Sequence, residues 1–130
     1  MTFAKKLIGC LVLLTFCFFT YAETTKEKSM KFGMQTVLTA VPEKGDELAE
    51  IMLVASQIVS EIEGCELYLV QQALTDKTQI LITELWVSAE HHQASLKNEK
   101  VIELITKAKP IISGVDGKPA KLIGGHGINN

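Results

Sequence analysis

The chain has 130 residues and a net charge of −2, with both Lys5 and Lys6 in a leader-like start, so the remainder is more acidic still. That length allows one small domain around one core, and the excess of carboxylates excludes the basic face that nucleic acid requires. No arginine occurs anywhere, so the planar fork that grips phosphate or carboxylate in two places is missing.

Residues 1–22 have the form of a secretory signal peptide. Lys5 and Lys6 make a positive n-region, Leu7 to Phe19 an apolar run shorter than the roughly 20 residues of a membrane span, and Ala22 a small residue before Glu23. The expectation is cleavage between Ala22 and Glu23 and a periplasmic or secreted product with no membrane attachment. Thr20 is an imperfect residue for such a site, so an uncleaved anchor is the competing reading. Cys10 and Cys17 leave with the leader, and Cys65 alone cannot form an internal disulfide. At the start of an apolar run Cys65 reads as a plain buried thiol.

Residues 23–31 are a polar lead, and residues 32–130 form the domain. Phe32 to Val41 alternates as a strand, with Phe32, Met34, Thr36, Leu38 and Ala40 on one face and Gly33, Gln35, Val37 and Thr39 on the other. Asp46 can cap a helix whose apolar positions Leu48, Ile51, Met52, Ala55, Ile58, Val59 and Ile62 follow a helical period, and Gly64 ends it. Cys65 to Thr75 and Gln79 to Val87 read as an antiparallel hairpin. Ser88 can cap a short helix with Glu90 in its first turn, and Asn98 can restart the helix at a new angle until Pro110 and Gly114 stop it. Asp116-Gly117-Lys118-Pro119 reads as a turn, and Lys121 to Ile128 as a last strand.

The order β-α-β-β-α-(α)-β, with helices burying one stripe each on an antiparallel sheet, is the ferredoxin-like arrangement of the α+β class. In the third strand Ile80, Ile82, Glu84 and Trp86 share one face, and Leu81, Thr83, Leu85 and Val87 the other. Both faces are largely apolar, so something must cover the side without helices. A second subunit is the simplest cover.

His91 and His92 are adjacent, so on a helix they diverge by roughly 100° and cannot hold one metal together. Neither HExxH nor Cys-x-x-Cys is present, and no metal is expected. On the helical wheel His92 joins Ala89 and Leu96 on the side facing the sheet, while His91 turns more towards solvent. A histidine against an apolar sheet suits a general base near neutral pH; the competing reading is a buried histidine satisfied by a backbone carbonyl. Trp86 fills a core or interface, or stacks on a flat aromatic ligand. Glu84, a carboxylate in an apolar row, needs a partner, a pocket or water. Tyr68 and Gln35, each on a strand, can offer hydrogen bonds to a substrate. Gly124-Gly125-His126-Gly127 precedes no helix and is no phosphate loop; a flexible or exchanged arm fits it better.

Gly33-Met34-Gln35-Thr36, Glu84-x-Trp86 followed by Ser88, His92-Gln93-Ala94-Ser95-Leu96, Pro110-Ile111-Ile112 and Gly124-Gly125-His126-Gly127, in that order, resemble the antibiotic biosynthesis monooxygenase family, in particular its small quinol monooxygenase members. The resemblance spans Phe32 to Ile128. It implies a dimeric α+β barrel of two sheets packed face to face. It also implies oxidation of quinol-like substrates by O₂ without metal, flavin or other cofactor, by deprotonating a phenol whose anion reacts with oxygen. In that reading His92 is the base, Trp86, Tyr68 and Phe32 wall an apolar pocket, and Gln35 bonds the phenolate. The first strand lacks the asparagine of haem-degrading relatives, which disfavours haem degradation. The alternative reading is a non-enzymatic dimeric binding or stress-response domain that holds a small apolar metabolite.

Overall fold

The computed structural model describes residues 30–128. The expected signal peptide and most of the polar lead lie outside the described residues. Four strands, β1 (Phe32–Ala40), β2 (Cys65–Gln72), β3 (Gln79–Trp86) and β4 (Ile112–Lys121), form one antiparallel sheet in the order β2-β3-β1-β4. Three helices, α1 (Gly45–Ser60), α2 (Ala89–Ser95) and α3 (Glu99–Ala108), complete a ferredoxin-like α+β fold, with a 3₁₀ turn at Lys109–Ile111 before β4. Among the described residues no helix is long and apolar enough to cross a membrane.

The apolar period of α1 sets the larger part of the core. Leu48, Ile51 and Met52 meet Leu38 and Ala40 of β1, Ile80 and Ile82 of β3, and Ala108 of α3. Each of the leucine, isoleucine and methionine side chains contributes about 1.5–3 kcal/mol when fully buried. A smaller cluster of Val59, Trp86 and Val101 lies at the other end of the sheet, with Phe32, Ile58, Ile62, Cys65 and Tyr68 packed against it.

Asp46 does not cap α1. The helix starts at Gly45 after Lys44 with no side-chain cap, and Asp46, in its first turn, accepts a 2.9 Å hydrogen bond from Gln72 Nε2. The β2–β3 loop packs directly on the start of the helix, since a Cβ on Gly45 would overlap the Lys77 carbonyl oxygen. That loop is longer than its sequence suggests, because β2 stops at Gln72; Asp76 organises it by accepting from the Thr78 amide at 3.0 Å and hydroxyl at 2.6 Å.

The largest departure from expectation is the last strand. Asp116-Gly117-Lys118-Pro119 is no turn: it runs inside β4, paired with β1 from Phe32↔Lys121 to Thr39↔Gly114, and the strand ends where the expected one was to begin. Continuous pairing along β1 outweighs local turn preference. Pro119 is tolerated because β4 is an edge strand and leaves one side unpaired. Leu122 to Ile128 is irregular and returns to the open face of the sheet, where Gly127 and Ile128 share a groove of about 320 Å³ with Leu67 and Leu85.

Candidate active site

Trp86 closes β3 on the helix side of the sheet, paired with Phe32 on β1 and Cys65 on β2. It is fully buried. Its indole N–H donates to Glu84 Oε2 at 2.9 Å, two residues back on the same strand face. Glu84 in turn lies opposite Tyr68. The lone carboxylate in an apolar row thus has an indole for a partner.

The sequence then turns sharply into α2. Ser88 Oγ accepts from the His91 amide, and the Ser88 carbonyl accepts from the His92 amide at 3.3 Å. Ser95 Oγ donates to the His92 carbonyl at 2.7 Å and closes the last turn. This short helix places the His92 imidazole over the sheet, 5.1 Å from the Phe32 ring and 5.7 Å edge-on to Trp86, between centroids. His92 Nε2 is 3.8 Å from Glu84 Oε2, within ion-pair range when the ring is protonated and too long for a hydrogen bond.

His91 does not turn to solvent as its wheel position suggests. It is half-buried, with Nδ1 2.9 Å from Ser88 Oγ and its ring over Gly64. Gly64, at φ +87°, does not stop α1, which ends four residues earlier at Ser60; it lies in the turn to β2, and a Cβ there would overlap the His91 ring. Sequence reasoning missed this contact; the glycine was expected as a helix stop and not as a seat for an imidazole.

Among the described residues no polar side-chain atom sealed from solvent lacks a hydrogen bond. Neither ring nitrogen of His92 makes one, nor does the Tyr68 hydroxyl, so these atoms, though largely buried, are not fully sealed from solvent. Burial pushes the Glu84 carboxyl above its ordinary range, against the opposing pull of the Trp86 N–H and of His92. Burial also raises the Tyr68 hydroxyl, with the Glu84 charge adding to it. The Cys65 thiol, half-buried rather than buried, is raised for the same two reasons.

Five of the six expected site residues, Phe32, Tyr68, Glu84, Trp86 and His92, therefore meet on the helix side of the sheet. Gln35 does not join them. It is exposed on the opposite face, where its Oε1 accepts from Thr83 Oγ1 at 3.0 Å. Among the described residues no three His, Cys, Asp or Glu side chains are grouped as metal ligands.

The model of the antibiotic biosynthesis monooxygenase family matches residues 32–107. The chain belongs to that family. A protein assigned to antibiotic biosynthesis monooxygenase from Chloroflexus aurantiacus J-10-fl shares 33% identity with it, at a TM-score of 0.69 over 76% of this chain and 99% of that one. A Deinococcus radiodurans protein with the same assignment shares 22%, at a TM-score of 0.66 over 76% and 99%. A variant of SnoaB, a cofactor-independent oxygenase from Streptomyces nogalater, shares 6% and matches in fold, at a TM-score of 0.66 over 75% and 97%. No curated protein is similar enough in sequence to be matched. As a member of the antibiotic biosynthesis monooxygenase family the chain carries a monooxygenase-type fold, with the His92 cluster between its sheet and its helices.

Proposed function

We propose that this protein is an exported, homodimeric monooxygenase that oxidises a small aromatic quinol with O₂ by base-assisted deprotonation. The observation that carries the reading is the buried His92 imidazole, unbonded at both nitrogens and not fully sealed from solvent, beside the aromatic rings of Phe32 and Trp86 and the Glu84 carboxylate. His92 takes the phenolic proton, and Glu84 at 3.8 Å stabilises the imidazolium that forms. The Tyr68 hydroxyl donates to the phenolate. The electron-rich anion gives its electrons to O₂; one oxygen atom enters the ring, the other leaves as water, and the ring passes from the quinol to the quinone level.

Oxygen uptake with a panel of hydroquinones tests this. His92→Ala is expected to lower the rate by about 100-fold or more, the usual weight of a positioned base; equal rates for both proteins would remove His92 from the mechanism. Export rests on residues 1–22 and is tested by cell fractionation, where an intact leader on a cytoplasmic product would sink it.

The complete burial of Trp86 favours a second reading, a binding domain without turnover, because an indole already packed on all sides can serve the core alone. Saturable quenching of Trp86 fluorescence by hydroquinones, with no product formed, would select that reading.

A further inference from the structure

Two isoleucines serve two surfaces at once. Ile58, in the last turn of α1, and Ile62, just beyond it, pack against the cluster of Val59, Trp86 and Val101. The same two side chains line a groove of about 660 Å³ on the outside of the molecule, whose other bank is the junction of α2 and α3. The volume falls within the roughly 300 to 1,000 Å³ of small-ligand sites. Its floor is apolar, and its rim sets Lys97 and Lys100 against Glu61 and Glu99, so neither sign of ligand charge is favoured.

We propose that this groove is the mouth of the site, that Ile62 is the gate between it and Trp86, and that the occupant is a neutral hydroxylated aromatic. The proposal rests on the Trp86–His92 cluster being the place where such a molecule binds. Ile62 is suited to gating because it lies past the end of α1, in a turn closed by its own amide to the Val59 carbonyl at 3.0 Å and by the Cys65 amide to its carbonyl at 3.2 Å. Its half-buried side chain can change rotamer while those backbone bonds stay in place. Between α1 and α3 a smaller groove of about 220 Å³, lined by Val54 and Leu104 among others, lies against the other core cluster and supplies a control.

Trp86 is the only tryptophan of the chain, so its fluorescence reports this site alone. Acrylamide, a neutral quencher, is the probe. Ile62→Ala should raise the quenching rate constant of Trp86 severalfold, and Ile62→Phe should leave it at or below the wild-type value. Val54→Ala, in the control groove, should leave it unchanged. Equal quenching of Ile62→Ala and wild type overturns the gate, and so does an equal rise in Val54→Ala, which would mean general loosening. Should Ile62→Ala lose its cooperative melt, Ile62→Val carries the same comparison with a smaller rise. Hydroquinone turnover separates this proposal from the one before it. Quenching that follows Ile62 without turnover keeps the route and removes the oxidation; turnover with quenching indifferent to Ile62 removes the route and keeps the oxidation.

Discussion

Glu84 faces two opposing demands. Burial on a strand face lined by Ile80, Ile82 and Trp86 favours its neutral form, while the Trp86 N–H and His92 favour its charge; burial is the stronger, and the folded carboxyl titrates above its ordinary value of 4.5. A carboxyl raised on folding adds stability that is full below the unfolded value and is lost as pH rises through the folded one. Glu84→Gln keeps an acceptor for the indole and cannot ionise. The melting temperature of the wild type should therefore fall relative to Glu84→Gln as pH is raised from about 4 towards neutrality; parallel melting curves at every pH would show that the carboxyl is not desolvated. The placement of this residue was legible in strand alternation, which puts Glu84 and Trp86 on one face, and the helical wheel turned His92 inward. The same alternation puts Phe32 and Gln35 on opposite faces of β1, so the separation of Gln35 from the cluster was also legible, though the resemblance to quinol monooxygenases drew both into one site.

The elements around the site are held by their ends. Asn98 Oδ1 accepts from the amides of Lys100 at 3.0 Å and Val101 at 3.4 Å, fixing the start of α3 where Val101 reaches Trp86. Asn98→Ala should cost about 1 kcal/mol in urea denaturation, the usual loss of a helix cap. The turn between α1 and β2 is more demanding, since Gly64 combines a left-handed backbone with the His91 ring against its α-carbon. Gly64→Ala should destabilise by roughly 1–3 kcal/mol from backbone strain alone, and more from the clash. Adding His91→Ala should recover the clash portion and leave the strain; a double variant no more stable than Gly64→Ala would mean the ring moves aside freely. The caps at Ser88 and Asn98 were readable because they act within a few residues, whereas Asp46 bonds Gln72 instead of capping α1, and that helix ends at Ser60 rather than at Gly64. The strand β4 was not readable, because its glycines and Pro119 prefer a turn locally and are straightened only by β1, some 80 residues earlier in the chain.

At the scale of the whole molecule, the helices cover one side of the sheet and leave Leu69 46% exposed on the other, with Gln35 and Thr83 beside it and the segment after β4 lying over Leu67 and Leu85 at one end. A sheet face of this character fits the dimer proposed above. Leu69→Lys should convert a dimer to a monomer in sedimentation equilibrium while the far-ultraviolet spectrum stays unchanged; a wild type that sediments as a monomer would remove the dimer. The sequence by itself determined the order of elements, the helix with its apolar stripe, the caps at Ser88 and Asn98 and the two faces of β1 and β3, because these follow from periods of 3.6 and 2 and from contacts a few residues apart. Only the tertiary structure decided that β4 begins at Ile112, that His91 rests on Gly64, and that Phe32, Tyr68, Glu84, Trp86 and His92 meet at one end of the sheet. Those facts depend on which strands pair and in what register, and register is set by the joint burial of side chains that lie far apart in the chain.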